Sequence, residues 1–162
     1  MKIFNKLTKK RNDNEYIYNI CNGVVKDVKE SSDPAFSEEM MGKGVCIITD
    51  DKDIYSPVTG ELIVVFPTKH AYGIKTDNGV ELLIHIGINT VELNGEGFTC
   101  TLKQGSKIKK GDKLCEVDFK LIKDKGYDPT IMVVLTNLKD FTDVSKYFGE
   151  LELTDKIMQV KR

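Results

Sequence analysis

Two histidines and two arginines are all that this chain of 162 residues contains, and none of its cysteines falls in C-x-x-C spacing. Each shortage excludes something. Arg11 and Arg162 are the only guanidinium groups, so almost all of the 24 basic residues are lysine. Bidentate recognition of planar anions therefore has few side chains to use. A formal charge of −1 and an isoelectric point near 6.2 leave no basic excess for nucleic acid. Cys21, Cys46, Cys100 and Cys115 have no secretory signal ahead of them. They read as reduced cytosolic thiols used as small buried hydrophobes, and the chain as cytoplasmic. No apolar run reaches the ~18 residues that suggest a membrane span. No serine or thiol sits in a nucleophile motif, which leaves acyl transfer with little support.

What is present fits a single β-rich domain. The length suffices for a core without metal or disulfide staples. Residues 1–14 form a basic leader that reads as a flexible terminus, with weak peripheral membrane contact through residues 1–10 as the alternative. Residues 15–162 read as the domain. Tyr16 to Val28 looks like a strand pair broken at Asn22-Gly23, and Gly105 to Val117 like two short strands around a Lys-Gly-Asp turn. Val45 to Ile48 and Thr130 to Thr136 read as buried strands, Phe119 to Lys125 as a short helical turn, and Asn137 to Phe148 as room for another. Turn signals recur roughly every 8–12 residues, which predicts an all-β fold: an antiparallel β-sandwich or partly closed barrel with short helical turns.

Both histidines lie in Phe66 to Val91, FPTKHAYGIKTDNGVELLIHIGINTV. Asn78-Gly79 between apolar runs signals a hairpin. Val80, Leu82, Ile84, Ile86 and Ile88 share one parity and predict a buried face, with His85 on the other face beside Leu83. A two-residue Asn78-Gly79 turn sets Tyr72 opposite His85 and His70 opposite Gly87, which brings both imidazoles to one side. A three-residue loop reverses that parity and separates them unless a bulge restores it. Paired imidazoles can accept a phosphoryl group on one ring nitrogen and hydrogen-bond it with the other. A catalytic zinc site normally needs a third protein ligand, and Glu92 or Asp33 would have to supply it.

Gly79, Leu82-Leu83-Ile84, His85-Ile86-Gly87-Ile88-Asn89-Thr90-Val91 and the following Glu92-Leu93-Asn94-Gly95-Glu96-Gly97-Phe98 resemble the active-site signature of the glucose-type enzyme IIA of the bacterial phosphoenolpyruvate-dependent sugar phosphotransferase system. Phe66, Thr68 and His70-Ala71 resemble the segment with that family's second histidine, and the likeness runs from about Val24 to Val160. The resemblance implies a β-sandwich phosphotransferase without a cofactor or metal. It implies that His85 is phosphorylated, that His70 stabilises the phosphate and that Thr68 orients His70. It also implies HPr as donor and the cysteine of a sugar permease's IIB domain as acceptor. Regulatory protein targets are a further implied class of partner.

Transfer between proteins needs an apolar rim that excludes water. Phe36, Met40, Met41, Phe66, Leu83 and Val91 are the candidates, with Asp33 as an acidic contact. Asn89 stands where the family often has aspartate, which removes a second acidic contact. Three other readings compete. Against a zinc hydrolase of the lysostaphin-like kind, this chain has no His-x-His pair and no third histidine. Against a biotinyl or lipoyl carrier, this chain has no suitably framed hairpin lysine, although Pro57-Val58-Thr59-Gly60 is carrier-like. A regulatory module switched by phosphorylation is compatible with the phosphocarrier.

Overall fold

The computed structural model describes residues Asn14–Arg162. Among them, the strands form three antiparallel sheets. The large sheet has the order β13 (Gly149–Leu151), β2 (Gly23–Asp27), β3 (Lys43–Ile48), β11 (Ile131–Leu135), β7 (Glu81–Ile86), β6 (Ala71–Thr76), β5 (Gly60–Val65) and β9 (Lys107–Ile108). A second sheet joins β1 (Asn14–Tyr18), β14 (Lys156–Lys161) and β12 (Asp143–Lys146), and a third joins β4 (Asp53–Tyr55), β10 (Lys113–Val117) and β8 (Phe98–Thr99). The fold is all-β as expected, and no sheet closes into a barrel.

Side-chain alternation builds the core. Val25, Ile47, Ile131 and Ile86 form one row across four strands, each almost completely shielded from solvent. Burying each such aliphatic side chain contributes about 1.5–3 kcal/mol relative to leaving it exposed. All five residues of β11 are buried, because the sheet's other face carries a second, smaller cluster of Val28, Phe36, Cys46, Met132 and Val134. Phe36 comes from α1 (Pro34–Ser37), a single turn started by Pro34 at its first position and capped by Asp33, whose Oδ1 accepts from Ala35 N at 3.0 Å. The short helix expected after Val117 is α2 (Phe119–Asp124), which buries Phe119 and Ile122.

Several local expectations gave way to long-range pairing. Asn22-Gly23 does not close a hairpin: β1 pairs with β14 and β2 with β3, in different sheets. The linker between them is instead held by distant backbone, with Asn19 N donating to Asp155 O and Tyr55 N to Ile20 O. The two short strands expected around the Lys-Gly-Asp turn are present as β9 and β10, and they join different neighbours, β9 pairing with β5 and β10 with β4 and β8. The helical turn expected in Asn137 to Phe148 is only Leu138–Asp140, and β12 follows it. Asn14, the last residue of the expected leader, belongs to β1 opposite Lys161. The rest of the leader, including residues 1–10, lies outside the described residues.

Candidate functional site

The β6–β7 hairpin carries the histidines, in a register other than the two-residue turn predicts. Ala71 faces His85, and Tyr72 faces Ile84. The loop is Asp77-Asn78-Gly79, closed by Thr76 N donating to Val80 O at 2.9 Å and Gly79 N to Thr76 O at 3.0 Å. Gly79 has φ +89° and Asn78 does not share the left-handed region, so the type I′ geometry is not adopted. Contacts from far along the chain hold this loop. Asn137 Nδ2 donates to Gly79 O at 2.7 Å, Asn137 Oδ1 accepts from Glu81 N at 2.9 Å, and Arg162 donates to Asn78 O.

That register, continued upstream, turns His70 toward the core with Tyr72. The chain avoids this just beyond β6, where His70 O still accepts the ladder bond from Ile86 N at 2.7 Å. His70 precedes β6 in a turn closed by Lys69 N donating to Phe66 O at 2.7 Å, with Lys69 at φ +59°. A left-handed residue costs backbone energy outside glycine, and here it redirects the imidazole. The rings of His70 and His85 meet edge to face, with centroids 5.0 Å apart and planes at 85°. The histidines are paired as expected, by a turn where a regular ladder would have parted them.

Each imidazole has its Nδ1 engaged. His85 Nδ1 lies 2.8 Å from Gly87 O, and a carbonyl only accepts, so Nδ1 carries the proton and Nε2 keeps its lone pair. His70 Nδ1 lies 2.7 Å from the Thr68 hydroxyl. Burial, with a smaller effect from neighbouring His85, pushes His70 down to about 4. Burial also lowers the pKa of His85, opposed by its bond to Gly87 and by the Asp33 charge. Both rings are therefore neutral near pH 7.

Gly87 is what lets β7 end and fold its carbonyl back onto His85. Its φ is +78°, and a Cβ there would stand 2.3 Å from Thr90 Cγ2 and 3.2 Å from Asp128 O. The backbone N–H groups at this turn are already taken: Gly87 N donates to Thr130 O and Ile88 N to Asp128 O. Ile88 also departs from the core row, because the turn at Gly87 sends it to the second cluster. Asp128 and Thr90 escaped the sequence reading. Burial disfavours the Asp128 carboxylate, but bonds from Thr130 and Ser32 more than offset it and hold its pKa below the ordinary value. Thr90 donates from its hydroxyl to Ile86 O. The Asp128-Pro129-Thr130 triplet is a turn signal that could have drawn attention to this brace.

The expected rim residues take different positions. Met40 is 72% exposed, and Met41, Phe66, Val91 and Asn89 are also exposed. Phe66 sets its ring 5.3 Å from that of His70. Phe36 is a different case: it is buried, its ring 5.1 Å from that of His85, and it offers a partner little surface. Leu83 is half-buried against the second cluster. Asp33 caps α1 and biases His85 electrostatically. Val64, not singled out from sequence, is exposed in a row with Gly73 and Leu83, next to the row of Ala71, His85 and Met132. Two large clefts, of ≈ 600 Å³ beside Phe98 and Lys123 and ≈ 880 Å³ beside Asn22 and Asp51, include neither histidine. Exposed Phe66 gives the imidazole pair an apolar edge on the His70 side. Among the described residues no group of three or more His, Cys, Asp or Glu side chains is placed to hold a metal, and no helix is long and apolar enough to cross a membrane.

Residues 15–141 match the family described as phosphoenolpyruvate-dependent sugar phosphotransferase system, EIIA 1. The chain is 48% identical over 124 residues to the PTS system glucose-specific EIIA component of Halalkalibacterium halodurans, covering 76% of this chain and 72% of that protein. It is 44% identical over 144 residues to the beta-glucoside-specific EIIBCA component of the same organism, covering 89% of this chain but 22% of that longer protein. The solved structure of glucose permease IIA from Mycoplasma capricolum is similar with a TM-score of 0.87 at 35% identity, over 94% of this chain and 99% of that one.

Proposed function

The chain belongs to the EIIA 1 family of the phosphoenolpyruvate-dependent sugar phosphotransferase system, and we propose that its phosphoryl acceptor is Nε2 of His85. It is a phosphocarrier, a phosphotransferase component that takes a phosphoryl group from HPr and passes it to a IIB domain. The observation that carries the residue assignment is the His85–Gly87 hydrogen bond, which leaves a bare, neutral Nε2 beside a second imidazole.

The Nε2 lone pair attacks phosphorus as the P–N bond to the donor histidine breaks. The electron pair of that bond returns to the leaving imidazole. Phosphoryl transfer has a loose transition state, so positioning and charge stabilisation do most of the work. With the Thr68 hydroxyl donating to His70 Nδ1, the ring proton of His70 sits on Nε2 and donates to a phosphoryl oxygen. Burial keeps His70 neutral, so it supplies a hydrogen bond without repelling the developing positive charge on His85.

The forward transfer reverses the roles: the IIB cysteine thiolate attacks phosphorus and His85 leaves. Met40, Met41, Phe66, Val64 and Val91 form the apolar rim that excludes water from the docked phosphate. Asp33 and Asn89 stand at its polar edge. The protein works in the cytoplasm, where HPr and the IIB domain are reached, and residues 15–162 act as one phosphocarrier domain. Relatives named for glucose and for beta-glucosides are both similar to this chain, which fits a carrier whose permease selects the sugar.

Incubation with phosphoenolpyruvate, enzyme I and HPr, followed by mapping of acid-labile phosphate, tests the assignment. Phosphate is expected on His85 Nε2. Phosphate on His70 overturns it.

A further inference from the structure

Beneath the turn that carries His70, two cysteines face each other across a sheet. β10 pairs with β8 so that Val117 faces Phe98 and Glu116 faces Thr99. Continued by one residue, the register sets Cys115 opposite Cys100. The kind of pair follows from the ladder. Asp118 N donates to Gly97 O at 2.8 Å, which makes 97/118 a hydrogen-bonded pair. Alternation then makes 98/117 non-bonded, 99/116 bonded and 100/115 non-bonded. Non-bonded antiparallel pairs bring Cα atoms to roughly 4.5 Å, inside the window of about 4.4–6.8 Å that a disulfide spans.

Two further observations concern the same pair. A surface cleft of ≈ 180 Å³ opens beside the pair, lined by both cysteine residues with Thr99, Lys113 and Glu116, while the thiols themselves are buried. Tyr72 shares the buried core cluster with both cysteines, and the three influence one another's ionisation; its hydroxyl donates to Lys69 O at 2.6 Å. Lys69 is the left-handed residue that aims His70.

We propose that Cys100 and Cys115 are a thiol modification site: a small disulfide such as oxidised glutathione converts them to an intrachain disulfide, and Tyr72 carries the change to His70. The Cys100 thiolate attacks one sulfur of the reagent and expels a glutathione thiolate. Cys115 gives its proton to that thiolate, attacks the Cys100 sulfur and expels the second glutathione. Two cysteines are oxidised and one disulfide is reduced to two thiols. Burial pushes the Cys115 thiol up to about 12, opposed by the Tyr72 hydrogen bond and the Lys113 charge. Its thiolate is scarce at neutral pH, which makes ring closure the slow step and faster as pH rises. Once closed, the bridge removes both S–H groups beside Tyr72 and draws the sulfurs together, which shifts the hydroxyl that holds Lys69 O. The consequence for phosphoryl transfer rests on the proposed role of His70; the chemistry at the cysteines does not.

The full chain is to be treated with oxidised glutathione, freed of excess reagent, unfolded, alkylated and digested without reductant. The expected result is a Cys100–Cys115 linked peptide lighter by two hydrogens, with Cys21 and Cys46 alkylated. Cys115→Ser is expected to trap glutathione on Cys100 instead. Recovery of Cys100 and Cys115 both alkylated, or each carrying glutathione, overturns the site. The coupling is read by NMR of the imidazoles, which needs no phosphate and so fails or succeeds separately from the phosphoryl assignment. Oxidation is expected to shift the His70 ring signals reversibly in the natural chain, and the shift to vanish in Tyr72→Phe. Unchanged His70 signals after disulfide formation overturn the coupling.

Discussion

His70 and His85 lie edge to face with ring centroids 5.0 Å apart, and their Nδ1 atoms are held by different partners, Thr68 and Gly87. Each ring therefore has one fixed nitrogen and one that faces the reaction. The two partners fit the proposed roles: the carbonyl on His85 leaves Nε2 the bare lone pair that a nucleophile needs, and the hydroxyl on His70 allows a donor.

His85→Ala is expected to abolish phosphate acceptance from phospho-HPr. The side chain is only half-buried, outside the main core. Stability measured by urea unfolding should change by no more than about 1 kcal/mol. Retained acceptance, or loss of folding, contradicts this picture.

His70→Gln keeps a donor of similar reach but loses the ring. Loading from phospho-HPr is expected to stay near normal, because the His85 nucleophile is intact. Onward transfer to the IIB cysteine is expected to slow by ~10²–10³, the usual cost of one well-placed donor. Rapid-quench measurement of both steps decides it, and equal onward rates for variant and natural chain would mean that the two imidazoles do not cooperate.

Gly87→Ala places a Cβ where Thr90 Cγ2 would be 2.3 Å away, at φ +78°. The left-handed backbone alone costs an L-residue about 1–2 kcal/mol, and the contact adds to it. The expected outcome is a lower urea midpoint, corresponding to a stability loss of at least that amount, together with weakened loading, since the Gly87 carbonyl fixes the His85 tautomer. An unshifted midpoint would show that the turn relaxes freely.

Stability should also depend on pH through the imidazoles. His70 is lowered from the ordinary 6.5 to about 4, and His85 is lowered too. As pH falls below 6.5 the unfolded chain binds these protons before the folded chain does. Stability is therefore fullest above that value and is lost between pH 6.5 and about 4. His70→Gln removes the larger share of this effect, so its urea midpoint should fall less between pH 7 and pH 5. Parallel profiles for the two proteins would refute the buried, neutral His70.

Strand faces were legible in the chain itself. The alternation from Val80 to Ile86 placed His85 off the core because strand periodicity is a local property: successive side chains alternate whatever the strand pairs with. The signature around His85 and the turn-rich composition likewise pointed to the family and to an all-β fold. What local rules left open was decided by contacts distant in sequence. Asn137 and Arg162 hold a three-residue loop where Asn78-Gly79 allowed a two-residue one, and that single step reverses the parity of everything upstream. Lys69 in a left-handed conformation then restores the meeting of the histidines, because Thr68, Phe66 and Tyr72 anchor the turn around it. The burial of Phe36 against His85 and the pairing of β1 with β14 have the same origin. Backbone hydrogen bonds and apolar faces must be satisfied somewhere, and only the assembled fold determines which distant segment satisfies them.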